Sequence, residues 1–135
     1  MDYGPVVFGF HPVNLAFRLV LELSAFAMLA LGGYVIGDGP LGWAMAIALP
    51  LLAMAAWGTF NVPGDRSRSG RAPVAVPGFV RLLVELDVFA AAVVIGWFAS
   101  PVASVTLFGL VAVHYALSID RIQWLLQQRA PDASA

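Results

Sequence analysis

The sequence predicts an all-α integral membrane protein, a four-helix bundle built from two helical hairpins repeated in parallel. Three observations predict it. The chain is 61% hydrophobic and 11% charged, with a mean hydropathy of +0.87, whereas soluble domains sit near half apolar and a quarter charged. Four segments reach the ~20 apolar residues that a ~30 Å hydrocarbon core demands of a helix. Finally, "RLVLEL" at Arg18–Leu23 returns as "RLLVEL" at Arg81–Leu86.

Each element follows from local composition. Residues 1–12 lack a positive start and a long apolar run, and Pro5 and Pro12 interrupt them, so they read as an interfacial arm and not a cleaved signal. The first span covers 13–36 and stops at the turn-forming "GDGPLG". The second covers 41–60, where Pro50 frees a carbonyl near Ala46 and is expected to kink the helix inward. Residues 61–76 are so rich in Gly, Pro and Ser that they read as a flexible loop. The third and fourth spans cover 77–99 and 101–128, the last extending beyond the bilayer. Pro77 and Pro101 suit a first helical turn, where no N–H is needed. Residues 129–135 form a tail, and everything belongs to one domain.

Charge sets the orientation. The central loop holds Arg66, Arg68 and Arg71 against Asp65, and the C-terminal end adds Arg121 and Arg129. The connections around Asp38 and Ser100 have no basic residue. The positive-inside rule then predicts a multi-pass protein of the cell membrane with both termini and the central loop cytoplasmic. Tyr34, Trp43 and Trp97 mark the outer boundary, and Trp57, Phe79 and Trp124 the inner one.

Other classes lose support. The chain has no lysine and a net charge of −1, which argues against a nucleic-acid partner. Without cysteine there is no disulfide, thiolate metal site or thiol catalysis. No phosphate loop, nucleophile elbow or dinucleotide fingerprint occurs, so no cofactor is expected. His114 with Glu22 and Glu85 lacks the spacing of a metal site, so no metal is expected either.

The repeat aligns "FRLVLELSAFA" (Phe17–Ala27) with "VRLLVELDVFA" (Val80–Ala90). One span separates the copies, so both run in the same direction, about a pseudo-two-fold axis along the membrane normal. Glu85 lies ~12 Å along its helix from Pro77, and His114 ~20 Å from Pro101. Glu22, Glu85 and His114 therefore share one layer in the inner half of the bilayer, with Arg18 and Arg81 one turn nearer the cytoplasm. Arg and Glu at i, i+4 share a helix face, as do Ser104, Val111, His114, Ser118 and Arg121. Lipid exposure of a charge costs at least ~2.5–3.5 kcal/mol, so these faces are expected to turn inward.

Three stretches carry a resemblance: "HPVNLAFRLVLEL" (His11–Leu23), "LPLLAMAAWGTFNVP" (Leu49–Pro63) and "RLLVEL". They resemble the YrdB-like family of small bacterial membrane proteins, classed as a domain of unknown function, over about His11 to Leu126. The resemblance implies four spans and a membrane setting. It implies no reaction, cofactor or catalytic residue.

The polar layer admits several roles. Arg18, Glu22, Arg81 and Glu85 could neutralise one another and hold the hairpins in register, or form a charged pocket for a headgroup, an anion or a proton. Asp87 points away from Glu85 and needs its own partner: His114, a second subunit or a proton. An Asp–His pair could exchange protons or simply pack.

The leading expectation is a structural or partner-docking module or small-ligand-binding bundle, associating with itself or with another membrane protein. One alternative is a cofactor-independent enzyme performing isomerisation, cyclisation or epoxide opening on a lipophilic small molecule. Asp87, His114, Glu22 and Glu85 would be its acids and bases, and Arg18, Arg81, Ser118, Tyr115 and Arg121 its binding groups. The other is a proton- or ion-coupled transporter.

Overall fold

The computed structural model describes residues 8–129, so most of the expected N-terminal arm (1–7) and tail (130–135) lie outside the described residues. The described chain is mostly helical. After a 3-10 turn at Phe8–Phe10, α1 runs Pro12–Gly37. It starts where His11 Nδ1 accepts the Val13 N–H at 3.1 Å, a side-chain cap on an otherwise orphaned amide. α2 runs Gly39–Thr59. Only Asp38 separates the two, at φ +55, a left-handed angle that Asp tolerates better than most residues. A Cβ on Gly42 would collide with the Tyr34 carbonyl, so the hairpin closes only with glycine there.

α2 stays a single helix through Pro50. It packs along α1, makes a smaller contact with α3 and next to none with α4. α1, α3 and α4 pack mutually, and α2 joins their core chiefly through Ala53 and Trp57 of its C-terminal half. Elsewhere on α2, Trp43, Ile47, Leu51 and Leu52 stay exposed, and no charged side chain on it requires shelter.

α3 runs Gly78–Gly96 and α4 Pro101–Leu117. Ser100 Oγ accepts the Ala103 N–H to cap α4, with Pro101 in the first turn. The expected continuous fourth helix ends early. α5, Ile119–Gln127, follows Ser118 at a bend of 69°. Tertiary contacts drive the turn. The Asp120 carboxylate accepts the Gly9 N–H at 3.0 Å, the Gly78 N–H donates to the Gln128 carbonyl at 3.0 Å, and Arg121 and Leu125 are buried. Gly78 sits directly on the Leu125 carbonyl, where a Cβ would fall on backbone atoms.

The central loop is also more ordered than its composition suggests. β1 (Phe60–Asn61) pairs in parallel with β2 (Val74–Ala75), and Asp65 is buried. The apolar core joins Leu21, Ala25 and Leu29 of α1 to Phe89 and Ala92 of α3 and to Leu107 and Val111 of α4. α1 and α2 are each long and apolar enough to cross a membrane, as are α4 and α5 if the bent pair counts as one span. α3 carries Arg81, Glu85 and Asp87 within 19 residues and does not reach that standard.

Candidate functional site

A buried charge cluster lies where α1, α3, α5 and the central loop meet. Its centre is Glu85, fully buried. Oε1 accepts Arg18 Nη2 at 2.6 Å, Arg81 Nε at 3.0 Å and Arg121 Nη2 at 2.8 Å. Oε2 accepts Arg121 Nη1 at 3.1 Å and the Tyr115 hydroxyl at 3.0 Å. One carboxylate thus organises three guanidiniums, each through charge-assisted bonds stronger than neutral ones.

The loop completes the arrangement. Arg121 Nη2 also reaches Asp65 Oδ2 at 2.9 Å. Ser67 Oγ donates to Asp65 Oδ1 at 2.7 Å while accepting Arg18 Nη1 at 3.0 Å and Arg121 Nε at 2.9 Å. Burial alone would raise the Asp65 carboxyl. The Arg121 guanidinium and the Ser67 hydrogen bonds outweigh it and hold the group below its ordinary value of 3.8. Arg68 at the rim is pulled below the ordinary guanidinium range by burial, an effect that nearby Glu22 opposes.

The repeated pairs share a local geometry and then diverge. Arg18 Nε to Glu22 and Arg81 Nε to Glu85 both measure 3.0 Å. Beyond that, Arg18 crosses to Glu85, whereas Arg81 Nη1 donates to the carbonyls of Trp57 and Phe60 at 2.6 and 2.8 Å. Arg81 Nη2 has no hydrogen-bond partner among the described residues; its guanidinium lies over the Trp57 ring at 5.1 Å, with Arg18 at 5.5 Å. Such contacts lower the cost of burying the cations.

The predicted residues separate into three groups. Arg18, Glu22, Arg81, Glu85, Tyr115 and Arg121 come together in the cluster. His114 and Ser118 join beside it through a residue the sequence reading did not single out. Asn14 Oδ1 lies 3.1 Å from His114 Nδ1, and Asn14 Nδ2 donates to Ser118 Oγ at 2.8 Å. Asp87 stands apart, exposed on α3 in an apolar groove with Leu29, Leu49, Leu52 and Ala53. It does not pair with His114, which packs against Asn14 and Phe17 of α1.

The reading also missed Asp65, Ser67 and Trp57. The signal for the first was present: Asp65 is the one acid in a loop with three arginines. Among the described residues, no three His, Asp or Glu side chains converge as metal ligands would.

The fold and site define a class: a helical, membrane-compatible protein with a buried arginine–carboxylate cluster fastening its central loop to its last helix. The chain belongs to the family described as "Protein of unknown function (DUF2568)", which matches residues 16–113. It is similar to "Uncharacterized protein YrdB" of Bacillus subtilis (strain 168), 38% identical over 120 residues, covering 87% of this chain and 97% of that one. No solved structure matches.

Proposed function

We propose that the protein is a multi-pass integral membrane module in which α1, α2, α3 and α4 associate with the bilayer, with both termini and residues 61–76 cytoplasmic. Its charge cluster is a structural clamp that fixes the loop and α5 as a rigid cytoplasmic face for docking a partner protein or a second copy. The saturation of Glu85 carries this reading: its two oxygens accept five hydrogen bonds from four side chains, so substrate would have to displace an arginine or Tyr115. Large apolar side chains exposed on several helices, among them Leu52, Val102 and Phe108, support the membrane setting, since soluble monomers rarely expose such surface contiguously.

The enzyme reading draws less support. It places Asp87 and His114 in one cavity, and the groove beside Asp87 is lined by aliphatic groups of α1, α2 and α3 without His114.

The absence of cysteine makes the topology directly testable. Single-cysteine variants Asp38→Cys and Ser69→Cys are treated with a membrane-impermeant maleimide on intact cells. Asp38→Cys should label from outside, and Ser69→Cys only after permeabilisation. Recovery of the protein in the soluble fraction, or labelling of Ser69→Cys on intact cells, would sink the proposal.

A further inference from the structure

A groove of about 370 Å³ opens beside the clamp, between α1 and the central loop. It is lined by Leu15, Arg18, Leu19 and Glu22 of α1 and by Ser67, Arg68 and Ser69 of the loop. Aliphatic carbon and guanidinium thus line the same small space, the lining expected for an amphiphile and not for a simple ion.

Charge within the cluster points the same way. Among the described residues, Arg18, Arg68, Arg81 and Arg121 surround three carboxylates, Glu22, Asp65 and Glu85. One positive charge is in excess. Arg18 and Arg121 spend all their nitrogens on the clamp. Arg68 does not. Its nearest carboxylate oxygen, Glu22 Oε1, is 3.7 Å away and already accepts Arg18 Nε at 3.0 Å. Arg81 Nη2 also lacks a partner among the described residues, but Arg81 is buried and does not line the groove. The loosely paired charge that a ligand can reach is therefore Arg68, half-buried on the groove.

We infer that this groove binds a phosphate-bearing anion, with Arg68 and Ser69 on the phosphate and Leu15 and Leu19 against the attached hydrocarbon, as an anionic phospholipid of the cytoplasmic leaflet would present them. The inference rests on the membrane reading above for the source of the ligand, while the phosphate contact itself needs no bilayer. Basic pockets on the cytoplasmic side of membrane helices recognise headgroups through this combination of charge and shape. Glu22 competes with the ligand for Arg68 and weakens the site.

The test uses the full chain purified in neutral detergent, titrated with phosphatidylglycerol, phosphatidylcholine or inorganic phosphate, with binding read by native mass spectrometry and by thermal shift. Phosphatidylglycerol should bind in preference to phosphatidylcholine. Arg68→Gln should weaken it roughly tenfold, the loss of one charge-assisted contact, with Arg68→Lys in between. Arg71→Gln, in the same loop but exposed, should leave binding unchanged. Glu22→Gln should tighten it.

Arg68-dependent binding of inorganic phosphate at comparable affinity would support the site while assigning it a free anion. Equal losses in Arg68→Gln and Arg71→Gln would reduce the effect to general surface attraction and overturn the inference. So would indifference to headgroup and phosphate, or weaker binding in Glu22→Gln. Failure of the membrane reading would appear separately, in the fractionation and labelling experiment.

Discussion

Arg121 grips Glu85 with both ends of its guanidinium, Nη2 on Oε1 at 2.8 Å and Nη1 on Oε2 at 3.1 Å. This two-pronged pairing joins α5 to α3 across 36 positions, and the same guanidinium extends to Asp65. The planar fork of arginine makes that geometry possible; a lysine could satisfy only one oxygen at a time.

Glu85→Gln leaves Arg18, Arg81 and Arg121 converging on a neutral amide. Removing one partner of a buried charge network costs about 3–5 kcal/mol because the opposite charges stay buried. Equilibrium unfolding in detergent micelles should show a loss of that order, and a change below about 1 kcal/mol would mean the clamp contributes little.

Glu22→Gln should behave differently despite the shared motif. Its side chain is 14% exposed and holds Arg18 by one bond, while Arg18 keeps Glu85 and Ser67. The expected cost is about 1 kcal/mol or less. Losses of similar size for Glu22→Gln and Glu85→Gln would show that the two copies carry equal weight, contrary to the geometry.

Gly78→Ala should force α5 away from α3, because the new methyl would overlap the Leu125 carbonyl. Hydrogen exchange should rise across α5 and at the Asp65 loop together. Gly58→Ala is the control: nothing lies near that position in the last turn of α2, so exchange across α5 and the Asp65 loop should not change.

The Asp65 carboxyl titrates below its ordinary value of 3.8 in the folded protein. A depressed acid contributes stability that is fully present above the unfolded value and is lost as pH falls through the folded one. The stability difference between the native chain and Asp65→Asn should therefore hold steady from neutral pH to about pH 5 and shrink at lower pH. A difference that grows on acidification would contradict the assigned shift.

Much of the helical framework was legible because Gly and Pro punctuate it: Pro12, Pro101 and the Asp38–Gly39 turn fall at helix boundaries. Arg18 and Glu85 could be brought together by helix rise and periodicity. Arg121 could not, since a straight fourth helix carries it ~10 Å past His114, and the 69° bend after Ser118 returns it. Nor could Asp65, Ser67 and Arg68. Their loop has the composition of a flexible connection, and what orders it is Arg121, 56 positions from Asp65.

Trp57 was misread for a related reason. An indole at a helix end suits a membrane boundary, and only the tertiary fold places two buried guanidiniums over it. For Asp87, periodicity gave the direction, opposite Glu85; the histidine offered as its partner packs against Asn14 and Phe17 of α1 instead.

The single residue between α1 and α2 bears on how such a chain enters a bilayer. With Asp38 as the only link, the two helices form a tight hairpin, and in the membrane setting proposed above Arg18 is made 67 positions before Glu85. The acidic partner available to it in that interval is Glu22, one turn along its own helix.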